Sequence, residues 1–199
     1  EFEQLQPDIL LTFGGLIISK KIKAFLRTYQ PQQHWHVDAK KAFDTFFCLN
    51  KHFDVSANEF FSKFLPSTQP VKSDYRDKWL QVNAQRDVHH DKYMEEIPFC
   101  DLQAFRQVLQ QMPEQQLVHL SNSSVVRYAQ LFRLNPSLQV YCNRGTSGID
   151  GSSSTAVGAA VKAQFPTTLI TGDVSFFYDS NALWNNYIPK SFRIIIINN

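Results

Sequence analysis

Short apolar segments alternate with amphipathic segments from residue 98 to the end of the chain. The segments predicted as strands are QLVHLS (116–121), LQVYCN (138–143), TTLITGD (167–173) and FRIIIINN (192–199). The segments predicted as helices are 101–112, 123–132, 151–165 and 180–187. Because the strands are apolar almost throughout, rather than at every second position, both of their faces should be buried. The pattern predicts an α/β fold in which helices flank a parallel sheet.

The first 70 residues carry a shorter α/β pattern of their own. We predict strands at 8–13, 34–38 and 45–49, and a helix at 19–29. A second helix should begin after Ser56, because Glu59 follows it at the spacing of a capping box. The chain is therefore expected to contain two α/β units.

The segment STQPVKS (67–73) is the best candidate for a linker, since Pro, Ser and Thr separate two periodic segments there. We predict an α/β unit at 1–70, a linker and helical connection at 71–97, and a second α/β unit at 98–199. The chain begins inside an apolar pattern and stops directly after its last strand. We therefore expect a fragment of a longer protein.

Composition excludes several other classes. Twenty basic and eighteen acidic side chains give a net charge of +2, and the lysines are scattered, so nucleic-acid binding has little electrostatic support. The three cysteines are odd in number and far apart, which favours reduced thiols and a cytoplasmic location. No apolar run approaches the roughly 18–20 residues that cross a bilayer.

Polar residues follow the last two predicted strands, Gly172-Asp173 after one and Asn198-Asn199 after the other. A helix of about a dozen residues and the return strand have matching lengths of roughly 18–20 Å, so a right-handed crossover should bring Asn199 to the same sheet edge as Asp173. A carboxylate and an amide oxygen suit Mg²⁺, which fills its other positions with phosphate oxygens and water. Gly172 would let a diphosphate approach the backbone, and Ser175 with nearby amides would hold its oxygens.

The ordinary alternative is an aspartate that only caps the next helix, as in many α/β proteins. The apolar strand before each polar end and the 26-residue spacing favour the metal–diphosphate interpretation. A dinucleotide-binding fold is disfavoured because no G-x-G-x-x-G follows any predicted strand.

The Gly-Asp and Asn-Asn ends resemble the motif of thiamine-diphosphate enzymes. The resemblance implies that Asp173 and Asn199 bind the metal that anchors the diphosphate. Three further stretches are similar to the MenD branch of that family: SNSSVVR (121–127), YCNRGTSGIDGSSSTAVGAA (141–160) and GDVSFFYDSNALW (172–184). Residues 1–70 then resemble the latter half of the central domain, and 98–199 the front part of the diphosphate-binding domain.

The same resemblance assigns further residues. Ser123, Arg127 and Arg144 match substrate-contacting positions, and Ile149 matches the apolar residue that supports the bent cofactor. Lys21 falls where the family commonly has a substrate-binding arginine, and it keeps the charge without the bidentate fork. Guanidinium groups match carboxylates bidentately, which suits a site for polyanionic substrates. Arg127 lies at i+4 from Ser123 on the predicted helix, so both side chains should face one ligand.

The MenD resemblance implies decarboxylation of 2-oxoglutarate and conjugate addition of the succinyl-semialdehyde carbanion to isochorismate, a transferase step of menaquinone biosynthesis. It implies thiamine diphosphate with Mg²⁺ or Mn²⁺ as cofactors. A pyrimidine-binding domain of a second subunit, in a homodimer or homotetramer, is expected to supply the activating glutamate. The isolated fragment should then be inactive.

Two other interpretations stay open. The chain is compatible with another thiamine-diphosphate 2-oxo-acid decarboxylase or carboligase, which would differ mainly in the NRG-x-SGIDG stretch. It is also compatible with a non-catalytic α/β module that uses the same edge for ligand binding or subunit contact.

Overall fold

The computed structural model describes residues 2–15 and 17–198. It divides into two compact units, one up to Tyr93 and the other from Met94 onward. The boundaries at 70 and 98 that we expected from the sequence stay a prediction. Within the described ranges, every helix is too short or too polar to span a bilayer.

The first unit contains a three-stranded parallel sheet. Its elements in chain order are a 3₁₀ turn at Glu3–Leu5, β1 (Ile9–Phe13), α1 (Lys20–Thr28), β2 (Gln33–Val37), β3 (Leu49–Phe53), α2 (Ala57–Phe64), a 3₁₀ turn at Leu65–Ser67, and α3 (Tyr75–Glu96). The strand order is β1-β2-β3, and both neighbouring pairs are parallel.

Serine side chains fix the starts of two helices in this unit. The Oγ of Ser19 accepts a hydrogen bond from the backbone N–H of Ile22 at 3.2 Å. Ser56 does the same for Glu59, also at 3.2 Å, which confirms the helix start predicted from the capping-box spacing. Each serine pairs one of the N–H groups that a first helical turn leaves free.

The strand predicted at 45–49 is wrong. Residues 45–48 form a turn, and the strand begins only at Leu49. The carboxylate of Asp44 accepts hydrogen bonds from the backbone N–H groups of Cys48 and Leu49, at 2.9 and 3.1 Å, and Phe47 adopts a φ of 60°. The apolar residues were misleading because the turn buries Phe46 in the core while its neighbour Phe47 faces solvent.

The second unit contains a four-stranded parallel sheet. Its elements are α4 (Asp101–Gln110), β4 (Leu117–Leu120), α5 (Ser124–Ala129), β5 (Gln139–Cys142), α6 (Ser152–Lys162), β6 (Thr167–Gly172), α7 (Asp173–Tyr178), a 3₁₀ turn at Ser180–Leu183, and β7 (Phe192–Ile197). The strand order is β5-β4-β6-β7, and every pair is parallel. The α/β fold predicted from the apolar pattern is confirmed.

One face of this sheet packs against α4 and α5. The cluster consists of Phe105, Val118, Leu120, Val125, Ala129 and Ile170. Alternate residues of β4 contribute to it, so His119 points to the opposite face, where its ring stacks on Tyr141 of β5 with centroids 5.8 Å apart. Burial lowers the pKa of His119.

The crossover after β6 differs from the sequence prediction. In place of a helix of a dozen residues, six-residue α7 starts immediately at Asp173, and a 3₁₀ turn replaces the helix predicted at 180–187. Helix α7 ends at Tyr178. The next residue, Asp179, has a φ of −138°, outside the helical range, and the start of α6 donates a hydrogen bond to its carboxylate. Strand β7 nevertheless pairs with β6, in agreement with the placement that we expected from the lengths of the crossover and the strand.

Candidate functional site

The carboxyl ends of β6 and β7 lie side by side. Gly172 is the register partner of Ile197, so Asp173 and Asn198 each come directly after one member of this pair. Neighbouring strands of a sheet lie about 4.8 Å apart. Asp173 is half-buried. Asn199, predicted as the second metal ligand, lies outside the described residues.

The end of β4 is joined to the end of β6 through Ser121. Its backbone N–H donates to the carbonyl of Ile170 at 2.9 Å, and its Oγ accepts from the backbone N–H of Gly172 at 3.4 Å. Ser121 is fully buried. This contact fixes Gly172, the residue predicted to let a diphosphate approach, against the neighbouring strand.

Two predicted substrate contacts meet at the start of α5. The Nη2 of Arg127 donates to the Oγ of Ser123 at 3.1 Å, and both residues are exposed. Ser123 has a φ of 74°, a left-handed value that is uncommon for a serine. The strained turn presents its hydroxyl and the arginine on the same side of the sheet edge.

Asn122, which no sequence motif singled out individually, connects the elements of this edge. It is buried, and its Nδ2 donates to the carbonyls of Asn143 at 3.0 Å and Gly148 at 2.5 Å. Its Oδ1 accepts from Arg144 Nη1 at 3.0 Å and faces the Cys142 sulfur at 3.4 Å. Both polar atoms of one side chain therefore hold the end of β5 and the loop after it.

Among the described residues, the Arg144 guanidinium donates a hydrogen bond within the chain through its Nη1. Besides the Nη1 bond to Asn122, its Nε is buried and has no hydrogen-bond partner in the part of the chain that the structure describes. A buried guanidinium N–H without an acceptor is costly. The position is therefore suited to an anionic group that accepts this hydrogen bond.

The loop between β5 and α6 carries Ile149, which is half-buried. Its carbonyl accepts a 2.5 Å hydrogen bond from the Oγ of Ser175, a buried residue of α7. The Ser175 hydroxyl proton is thus used within the chain, and the predicted contact of Ser175 with phosphate oxygens stays a prediction. The backbone N–H of Ser175 is the group left for that role.

Glycines shape the same loop. Gly151 has a φ of 73°, which a side chain disfavours, and it directly precedes α6. At Gly148 an added Cβ would collide with the Oδ1 of Asp150. The loop therefore calls for glycine at 151 through its backbone conformation, whereas at 148 the flexible Asp150 side chain could turn away.

Lys21 lies in the first unit. It is exposed in the first turn of α1. Its predicted substrate role stays a prediction.

The site combines the carboxylate of Asp173 with several hydrogen-bond donors. Among residues 2–15 and 17–198, no group of three or more His, Cys, Asp or Glu side chains gathers to hold a metal. Asp173 is the acidic residue at the strand ends, an arrangement compatible with Mg²⁺, which takes few protein ligands. Burial raises the pKa of the nearby Cys142 thiol.

Comparison with known proteins agrees with this architecture. A family model described as the middle domain of thiamine pyrophosphate enzymes matches residues 2–120, more than half of the chain. Three relatives carry the name 2-succinyl-5-enolpyruvyl-6-hydroxy-3-cyclohexene-1-carboxylate synthase. They come from Christiangramia forsetii (62% identical, 100% of this chain, 34% of the relative), Flavobacterium johnsoniae (53%, 100%, 36%) and Bacteroides thetaiotaomicron (37%, 98%, 34%).

The chain spans about a third of the length of these curated relatives. The similarity to them runs along essentially all of it, and the resemblance expected from the Gly-Asp and NRG-x-SGIDG motifs is confirmed. The chain therefore belongs to the thiamine pyrophosphate enzyme family.

Proposed function

We propose that the full-length polypeptide is a MenD-type transferase of menaquinone biosynthesis, which decarboxylates 2-oxoglutarate and adds the resulting four-carbon unit to isochorismate. Relatives with the corresponding synthase name, 53–62% identical over the whole chain, support the proposal. The observation that carries it is the gathering of Arg127, Arg144 and Asp173 behind the carboxyl ends of β4, β5 and β6, which are adjacent parallel strands.

The residues present fit thiamine diphosphate and a divalent cation. Asp173 would hold Mg²⁺ or Mn²⁺ together with Asn199, Gly172 would admit the diphosphate, and the backbone N–H of Ser175 would bind its oxygens. Ile149 would support the bent cofactor. When bound, thiamine diphosphate supplies the electron sink for decarboxylation of a 2-oxo acid.

The chain's own contribution is to bind and orient anionic substrates. Arg127 and Arg144 follow neighbouring strand ends, and guanidinium groups bind carboxylates in a bidentate manner. The buried Nε of Arg144, which has no hydrogen-bond partner among residues 2–15 and 17–198, supports this role, because a substrate carboxylate would accept its hydrogen bond. Ser123 orients Arg127 through their 3.1 Å hydrogen bond. Lys21 is proposed to bind the substrate as a further positive charge, without the bidentate geometry of an arginine.

The proposal includes a second subunit, in a homodimer or homotetramer, whose pyrimidine-binding domain supplies the activating glutamate. Exposed apolar side chains around α7 support it, because a surface of this kind is typical of a contact with another protein. They are Val174, Phe177, Tyr178, Trp184 and Tyr187, with Trp184 84% exposed. The chain alone would then be inactive. A cytoplasmic location completes the proposal, supported by three free cysteines.

Isothermal titration of the full-length protein with thiamine diphosphate and Mg²⁺ tests the cofactor assignment. We expect binding by the wild type, no measurable binding by Asp173→Ala, and wild-type binding by the exposed control Asp91→Ala. Equal heats for wild type and Asp173→Ala would contradict the assignment. Absence of binding by the wild type would instead favour a non-catalytic module.

The substrate assignment has a separate test, the 2-oxoglutarate-dependent loss of isochorismate absorbance. We expect turnover with 2-oxoglutarate and little with other 2-oxo acids. A strong preference for another 2-oxo acid would favour a different decarboxylase or carboligase of the same family.

A further inference from the structure

Asp179 is a buried carboxylate to which the proposed chemistry gives no role. It directly follows α7 and is only 6% exposed. Its Oδ2 accepts from the backbone N–H of Ser154 at 2.7 Å, and its Oδ1 accepts from the Ser154 hydroxyl at 2.5 Å. Burying a charge is unfavourable unless hydrogen bonds compensate for the lost water. Here both oxygens are bound by one residue 25 positions earlier.

The carboxylate acts as a remote cap for α6. Ser154 is the third residue of that helix, and its backbone N–H has no partner within the helix itself. The local N-cap is Gly151, which has no side chain to accept the bond. A negative charge at this end also interacts favourably with the dipole of an eleven-residue helix. The start of α6 is thereby tied to the end of α7.

A second link runs in parallel with the first. The hydroxyl of Ser175, in α7, donates to the carbonyl of Ile149, in the loop that leads into α6. Three hydrogen bonds thus join residues 175 and 179 to residues 149 and 154. Since α7 begins at Asp173, these bonds determine where Asp173 stands relative to Ile149.

We propose that Asp179 is a positioning residue, which keeps Asp173 and Ile149 at a fixed separation by holding α7 against the start of α6. The inference rests on the proposed function, in which Asp173 reaches the cofactor's diphosphate through the metal and Ile149 supports its ring portion. Both residues then contact different parts of one molecule, so their separation must match its length. Asp179 touches neither cofactor nor substrate in this assignment.

The test is cofactor binding by the full-length protein, measured by calorimetry at saturating Mg²⁺. In Asp179→Ala we expect the Kd for thiamine diphosphate to rise about tenfold or more, as is typical when a residue that orients a ligating group is lost. The near-UV circular dichroism of the bound cofactor should also change. The KM for 2-oxoglutarate at saturating cofactor should stay within about twofold, because Arg127 and Arg144 are untouched.

Asp179→Asn provides the conservative rescue. Its amide oxygen still accepts from the Ser154 N–H, and its amide nitrogen donates to the Ser154 hydroxyl, so the Kd should return close to the wild-type value. If Asp179→Ala does not fold, Ser154→Ala decides, since it removes one of the two bonds and should raise the Kd by a smaller factor. A wild-type Kd in that variant would overturn the proposal.

Two further outcomes are distinguishable. A folded Asp179→Ala protein with a lower melting temperature and a wild-type Kd would mean a purely structural role and would overturn the inference alone, provided that Asp173→Ala abolishes binding. If the wild type itself did not bind thiamine diphosphate, both the proposed function and this inference would be wrong.

Discussion

The Nη1 of Arg144 donates a hydrogen bond to the buried Oδ1 of Asn122, 3.0 Å away. The Nδ2 of the same Asn122 side chain donates to the carbonyl of Gly148, in the loop that also contains Ile149. The two residues are 22 positions apart in sequence and follow adjacent strands. One buried side chain therefore sets both the direction of the proposed substrate arginine and the path of the proposed cofactor loop.

Asn122→Asp separates these two roles. The carboxylate can still accept from Arg144, but it cannot donate to the carbonyls of Asn143 and Gly148. The Gly148 carbonyl then loses that donor. The Asn143 carbonyl keeps only the longer bonds from the Ser147 N–H at 3.3 Å and the Thr146 hydroxyl at 3.4 Å. The loss should lower the free energy of unfolding by about 1–3 kcal/mol, measured by chemical denaturation. The exposed Asn186→Asp serves as the control and should be near neutral. An unchanged free energy of unfolding in Asn122→Asp would show that the loop does not depend on these bonds.

Two glycines of the same segment should respond in opposite directions to alanine. Gly151 has a φ of 73°, so Gly151→Ala should cost about 1–2 kcal/mol of stability. Gly158 lies inside α6, with no atom within 4 Å of an added Cβ, so Gly158→Ala should stabilise by up to about 1 kcal/mol. Thermal denaturation of both variants measures the difference. Similar shifts for the two would argue against a left-handed residue at the start of α6.

Stability should decrease in mild acid because of His119. Burial lowers the pKa of this imidazole in the folded state, whereas the unfolded chain binds the proton at about pH 6.5. The contribution of neutral His119 to the free energy of unfolding is therefore fully present above about pH 6.5. This contribution is lost as the pH falls from there towards the lower pKa of the folded state. His119→Phe keeps a ring beside Tyr141 and should show a smaller loss between about pH 7 and about pH 5.

The matched control for that measurement is His89→Gln, which removes an exposed histidine outside the core. Contributions from His34 and His36 will persist in both variants, because burial lowers the pKa of these two histidines as well. Identical profiles for His119→Phe and wild type would contradict the assignment.

The three cysteines should differ in reactivity. Cys100 is exposed, whereas Cys48 and Cys142 are half-buried and burial raises the pKa of both thiols. Since the thiolate is the nucleophile, iodoacetamide at neutral pH should modify Cys100 first, as followed by mass spectrometry of peptides. In urea all three should react at similar rates. Fast labelling of Cys142 in the folded protein would show that the strand end opens readily.

The alternation of apolar strands and helices predicted the α/β fold because both signals are local. Ser19 and Ser56 could be identified as helix starts for the same reason, since each binds an N–H three residues away. The turn at 45–48 could not be predicted from the sequence. Its apolar composition does not reveal that Asp44 closes the turn or that Phe46 is buried.

The sequence also indicated that polar strand ends would meet at one edge, and the pairing of Gly172 with Ile197 follows from strand length and crossover handedness. Asn122 and Asp179 could not be selected in this way. Their partners are 21 to 26 positions away and become neighbours only when the strands and helices pack. Polar residues whose hydrogen-bond partners are distant in sequence produce no periodic pattern from which they could be identified.

The strand order β5-β4-β6-β7 puts a run of four isoleucines, 194–197, at one end of the second sheet as the described strands form it. An end strand presents a row of unpaired backbone N–H and C=O groups, and an uncharged β-branched segment on such a strand favours pairing with another copy. In β7 the charged Arg193 precedes the four isoleucines, which themselves carry no charge. A preparation limited to this stretch of polypeptide is therefore expected to self-associate through β7. Charged substitutions on the exposed face of that strand, such as Ile196→Lys, should keep the protein dispersed.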